Sequence, residues 1–144
     1  MVEITDKPVT ARTAVARAHV RMLPATMRVL RSGHAAKGDV LAVARVAGIQ
    51  AAKRTPELIP LCHAIALTKS EVEFLFPSKG SVLIVEARVS ALDRTGAEME
   101  ALTAASIAAL TVYDMLKAID RGMTIESIAL QEKHGGKTGS WTRG

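Results

Sequence analysis

Aromatic side chains are almost missing from this chain: Phe74, Phe76, Tyr113 and Trp141 are the whole complement among 144 residues. Proteins that track single-stranded nucleic acid need stacking platforms, so four scattered rings argue against a nucleic-acid partner. Cysteine is scarcer still. Cys62 stands alone, which excludes an internal disulfide and fits a reducing compartment. No apolar run approaches the roughly 20 residues of a membrane span. The opening Met1-Val-Glu-Ile-Thr-Asp-Lys-Pro8 also lacks the basic-then-apolar order of a signal peptide. The expectation is a soluble cytoplasmic protein without membrane contact.

What is there is small and aliphatic. Hydrophobic residues make up 49% of the chain, so the core must be built from Ala, Val, Ile, Leu and Met. A chain of this length suggests one domain, residues 1–144, able to bury roughly 70% of its unfolded surface. Small side chains let elements approach closely but bury little area each, so some apolar surface is expected to be covered by subunit partners. The formal charge is +5, from 19 Lys and Arg against 14 Asp and Glu. That balance favours an anionic partner: nucleic acid, a membrane surface or a small phosphorylated compound.

From Arg12 the chain alternates, with Ala14, Ala16, Ala18, Val20 and Met22 on one side and Thr13, Arg17, His19 and Arg21 on the other. Period two predicts a strand, with a helix as the competing reading because alanine suits both. Pro24 fits a first helical turn, and Gly33 a stop. Asp39 caps a second helix running to about Ala52, with Val40, Val43, Ala44, Ala47 and Gln50 at helical spacing. Gly48 weakens its middle unless a neighbour must approach there. Thr55-Pro56 reads as the start of a separate short helix ending near Pro60. Residues 66–76 and 81–92 alternate as a hairpin around Pro77-Ser-Lys-Gly80. A helix from about Glu100 to Asp120 follows, its apolar stripe running Leu102, Ala105, Ala109, Val112, Leu116 and Ile119. A last strand covers Met123 to Glu132, and the remainder reads as glycine-rich loop. This element order predicts an α+β, ferredoxin-like antiparallel sheet with helices packed on one face.

Several side-chain groups could carry chemistry. Asp114 and Lys117 lie three apart, hence side by side on a helix, as a proton-transfer pair or an ordinary surface ion pair. Lys37-Gly38-Asp39 precedes a helix start, where free N–H groups favour an anion; a solvated lysine before a cap is the plain alternative. Cys62-His63 leaves a proline-bounded segment, yet adjacent Cys-His is poor metal spacing and no second pair exists, so no metal site is expected. Glu98 and Glu100 are acids in a first helical turn, favourable there by roughly 0.3–1 kcal/mol each. Gly135-Gly136-Lys137-Thr138 imitates a nucleotide loop but fails it: Gln131 stands where the pattern needs glycine, and no helix can follow. Lys133, His134 and Lys137 could still form a basic clasp.

Taken in order, six runs resemble the cyclic pyranopterin monophosphate synthase family, the MoaC-type enzymes of molybdenum cofactor biosynthesis. They are Lys37-Gly-Asp-Val40, Ala47-Gly-Ile-Gln-Ala-Ala-Lys-Arg-Thr55, Leu58-Ile-Pro-Leu-Cys-His63, Gly96-Ala-Glu-Met-Glu-Ala-Leu-Thr-Ala-Ala-Ser106, Tyr113-Asp-Met-Leu-Lys117 and Lys133-His-Gly-Gly-Lys137. The resemblance implies a lyase that rearranges (8S)-3′,8-cyclo-7,8-dihydroguanosine 5′-triphosphate to cyclic pyranopterin monophosphate and diphosphate. It implies Asp114 as catalytic residue, with Lys37 and Lys117 beside it. Leu61, Cys62, His63, Met99, Glu100, Arg12 and Lys133 are implied as substrate contacts. It further implies a homohexamer, a trimer of dimers with pockets shared across a dimer interface, and no cofactor, though magnesium could accompany the triphosphate. Ala64 departs from the family, which usually has proline after Cys-His, so the backbone of His63 is less restrained here. The other class of reading is a small basic nucleotide- or RNA-binding module without catalysis; salt-sensitive RNA affinity and no product would mark it.

Overall fold

The computed structural model describes residues 1–144, and its elements follow the predicted order with corrected boundaries. They are β1 (Thr10–Arg21), α1 (Pro24–Ser32), α2 (Val40–Leu58), β2 (Leu67–Leu75), β3 (Val82–Asp93), α3 (Glu98–Leu116), β4 (Thr124–His134) and β5 (Trp141–Thr142). The strands form one antiparallel sheet in the order β2-β3-β1-β4-β5. Its first four strands carry the ferredoxin-like order. The alternation in β1 decides strand over helix: Ala14, Ala16, Ala18 and Val20 are all fully buried. They face α3, whose Ala101, Ala104, Ala105, Ala108 and Ala109 are buried against them and against α2. Alanine on alanine brings backbone layers close, which is how a core almost without aromatics is filled.

Four expectations are corrected. Thr55 does not cap a separate helix; α2 runs unbroken to Leu58 with Pro56 inside it, and the Thr55 hydroxyl donates to the Ala51 carbonyl at 3.0 Å. Pro56 lies so near the helix end that its missing N–H removes a single bond, and the stop comes at Ile59, extended because Pro60 follows. The buried face of α2 is Val40, Ala44, Gly48, Ala51, Ala52 and Thr55, whereas Val43 and Gln50 are exposed. At Gly48 a Cβ would meet Val72 Cγ2 at 2.9 Å and the Ala104 carbonyl oxygen at 3.0 Å, so α3 and β2 crowd the glycine.

The long helix starts at Glu98 and ends at Leu116, so Ile119 lies beyond it and is exposed. Beyond that end Asp120 joins the helix to α1. Its buried carboxylate accepts from the Leu23 N–H at 2.9 Å and the Thr26 hydroxyl at 3.0 Å, capping α1, which has no side-chain cap of its own. Finally, the tail is not all loop: β4 extends to His134, and Trp141–Thr142 pairs back onto Glu132 and Lys133. By length and hydropathy α3 alone could cross a membrane, yet 56% of that stretch is buried, as befits a core helix.

Candidate functional site

The structure divides the ten predicted site residues between the two ends of α3. Lys37, Asp114 and Lys117 meet at its C-terminal end. Asp114 Oδ1 accepts from Lys117 Nζ at 2.6 Å, and Oδ2 accepts from Lys37 Nζ at 3.2 Å. Lys37 Nζ also donates to the Asp114 carbonyl at 3.2 Å. Lys117 is placed by helical spacing, but Lys37 arrives from 77 residues away, on the loop between α1 and α2. That loop is held by Gly33 at the end of α1 and by Asp39, whose side chain accepts from the Ala42 N–H.

All three side chains are about half exposed in the isolated chain. The two ammonium groups, Lys117 foremost, hold the Asp114 carboxyl below the ordinary carboxylate range. Two cations outweigh negligible desolvation, so the fold moves this aspartate away from neutrality. Asp114 is an anchor that holds two ammonium groups together on one carboxylate.

The other seven residues lie at the opposite end. Glu100, in the first turn of α3, is 1% exposed, so a solvated first-turn acid is the wrong description. Burial, above all other causes, raises its carboxyl above the ordinary range. Cys62 donates to Glu100 Oε1 at 3.7 Å, while Oε2 is buried with no partner. Burial, with the Glu100 charge next, raises the Cys62 thiol as well, so it is no reactive thiolate. Cys62 and His63 are half-buried in the α2–β2 connection, Leu61 beside them is 71% exposed, and Met99 stands at the rim. Buried polar atoms are nearly always satisfied, so an orphaned carboxylate oxygen marks a place for a donor from outside the chain.

Arg12 on β1 and Lys133 on β4 line one cleft at this same end. Lys133 Nζ donates to Glu98 Oε1 at 2.5 Å, and Arg12 Nη2 donates to the Arg94 carbonyl at 3.2 Å. Sequence reasoning missed Glu98 as Lys133's partner, and it missed Arg94 altogether. No local signal reveals either, since 35 residues separate Glu98 from Lys133 and 82 separate Arg12 from Arg94. No three His, Cys, Asp or Glu side chains anywhere are gathered as a metal site would need. From Glu98 to Asp114 the helix rises roughly 24 Å at its usual pitch, which is the separation of the two groups along α3.

Comparison with known proteins bears on the whole of this arrangement. A model described as the MoaC family matches residues 1–136. A cyclic pyranopterin monophosphate synthase from Thermomicrobium roseum is 62% identical over 143 residues, covering 99% of this chain and 86% of that protein. A protein of the same name from Chloroflexus aggregans is 57% identical over 143 residues, covering 99% and 87% respectively.

Proposed function

Because this chain belongs to the MoaC family, we propose that it is a cyclic pyranopterin monophosphate synthase of molybdenum cofactor biosynthesis, acting on a nucleotide derived from guanosine triphosphate. The substrate is (8S)-3′,8-cyclo-7,8-dihydroguanosine 5′-triphosphate, and the products are cyclic pyranopterin monophosphate and diphosphate. The observation that carries this reading is the convergence of Lys37, Asp114 and Lys117 from distant segments onto one point.

Opening the guanine-derived ring and closing the pyrazine ring move protons among carbon, nitrogen and oxygen. Lys37 and Lys117, both held on the Asp114 carboxylate, serve as donors. Glu100, whose carboxyl is pushed toward neutrality by burial, suits proton exchange with a substrate N–H at its free oxygen. Closing the cyclic phosphate requires a sugar-derived hydroxyl to attack the α-phosphorus and expel diphosphate. Cationic side chains stabilise the charge that builds on those oxygens. Leu61, Cys62, His63 and Met99 frame the substrate around Glu100, and Arg12 and Lys133 add positive charge.

One chain cannot apply both ends of α3 to one substrate across roughly 24 Å of helix. We therefore place the complete pocket between two copies, one supplying Lys37, Asp114 and Lys117, the other the remaining seven residues. Exposed Val43 and Val46 on α2, Leu61 after it and Leu110 on α3 supply apolar area for such contacts. A homohexamer, a trimer of dimers, is the assembly we infer.

The test is direct. Purified protein given the cyclised nucleotide should release diphosphate and form the pterin, and Asp114→Asn should fold as the parent does while making little product. Near-normal turnover by that variant sinks the catalytic assignment.

A further inference from the structure

The start of α1 owes little to its own sequence. Its first residue is Pro24, Leu23 before it offers no side-chain acceptor, and no acid stands in the first turn. A carboxylate from far along the chain serves instead: Asp120 Oδ2 accepts from the Leu23 N–H and the Thr26 hydroxyl, across 97 and 94 residues. Asp120 and Thr26 are only 6% and 2% exposed, so water does not compete at this joint. The turn that carries Asp120 is braced as well. Ile119 and Asp120 donate their N–H groups to the Leu116 carbonyl, and the Tyr113 hydroxyl donates to the Arg121 carbonyl at 3.0 Å.

Both sides of the joint lead to the Lys37–Asp114–Lys117 cluster. Asp120 follows Lys117 by three residues, and α1 runs from the joint into the loop that delivers Lys37. That loop is stiff: Gly33 has a φ of 74°, the Ser32 hydroxyl accepts from the His34 N–H, and the Gly38 N–H closes on the Ala35 carbonyl at 3.0 Å. Between the loop and the end of α3 lies an apolar cleft of about 270 Å³. Val29, Ala35 and Ala36 line it from α1 and the loop, and Met115, Leu116 and Ile119 from α3 and its turn. Apolar attraction has no direction, so the register of these two walls falls to the polar ties between them. Those ties are Lys37 to Asp114 and Asp120 to the start of α1. We infer that Asp120 is a positioning residue: by fixing the start of α1 to the turn after α3, it sets where Lys37 meets Asp114. The inference rests on the proposed reaction for the use made of Lys37, whereas the placement itself can be read without turnover.

The reporter is the Asp114 carboxyl, followed through an acid titration by carbon-13 NMR of the full-length protein with aspartate alone labelled. In the parent two ammonium groups, Lys117 foremost and then Lys37, hold that carboxyl low. Lys37→Ala leaves one of them and should move the midpoint up. Asp120→Ala should move it up as far, and lower kcat on the order of 100-fold, the cost of a reacting group misplaced by about 1 Å. Thr26→Val removes one of the two bonds with little change of shape, and should shift the midpoint the same way even where Asp120→Ala fails to fold. Asp120→Asn keeps an acceptor oxygen and should restore both readings toward the parent's. Thr55→Val deletes a buried hydroxyl bond of the same 3.0 Å length inside α2, and should leave the Asp114 midpoint in place. Asp120→Ala added to Lys37→Ala should cost nothing further, because the carboxylate acts through that lysine. An unmoved Asp114 midpoint in Thr26→Val overturns the inference, as does a double variant far slower than Lys37→Ala alone. A raised midpoint in a protein whose parent forms no pterin upholds the joint and sinks the proposed reaction. An active parent whose Asp114 titrates alike in every variant of the joint sinks the joint alone.

Discussion

Glu100 shows how far environment outranks residue type. Two carboxylates, Glu98 and Glu100, enter α3 within one turn, yet one pairs with a lysine while the other is buried with an oxygen unpartnered. A carboxyl whose proton affinity is raised on folding adds stability below its unfolded pKa, and loses it as pH climbs through the raised folded value. The expected outcome is a melting temperature that declines from mildly acid to neutral pH in the parent. Glu100→Gln should flatten that decline, and thermal unfolding across this range checks it. An unchanged profile would mean Glu100 is not a buried acid in solution. Asp114 has the opposite sign: its lowered carboxyl contributes above the ordinary carboxylate range and loses that contribution only as pH falls below it. Because the group is open to water, the effect on stability is small and the charge serves the two lysines.

At the scale of elements, α2 and α3 lie together through small residues, and Gly48 is the tightest point. Helix propensity favours replacing a mid-helix glycine, by roughly 1 kcal/mol for alanine. Here a Cβ would press on Val72 from β2 and on the backbone of α3, so crowding outweighs propensity. Gly48→Val is expected to lower stability by about 2–3 kcal/mol, read from a denaturant midpoint. A gain in stability would show that the helices can part without cost. Most elements were legible in the sequence, because alternation in β1 and in the hairpin leaves one face apolar and one polar. The breaks were less so. Pro56 reads locally as a start, but a proline close to a helix end costs too little to break α2. Ile119 extends the apolar stripe on paper, but the helix ends at Leu116, and Asp120 beyond it is engaged with α1.

For the whole molecule, the separation of the two residue groups is the deciding quantity. Variants crippled at opposite ends of α3, Asp114→Asn and Lys133→Ala, should complement each other when mixed and reassembled. Each mixed pair regenerates one intact site from its two unmutated ends. Random pairing through a two-fold interface should then return about a quarter of parental turnover. Sedimentation should report an oligomer. A monomer that turns over substrate normally, or mixing that restores nothing, removes the shared pocket.

The sequence by itself determined the element order, the strand alternation, the Asp114–Lys117 neighbourhood and, through its six long runs, the family. Those features depend on residues close in the chain, where helix and strand periodicity fix who lies beside whom. Only tertiary structure decided that Lys37 reaches Asp114, that Glu100 is buried rather than solvated, and that Arg12, Arg94 and Lys133 gather around one cleft. Each of these joins segments tens of residues apart, and no local periodicity encodes such distances. They follow from the way an alanine-rich sheet and two close helices draw remote loops to either end of α3.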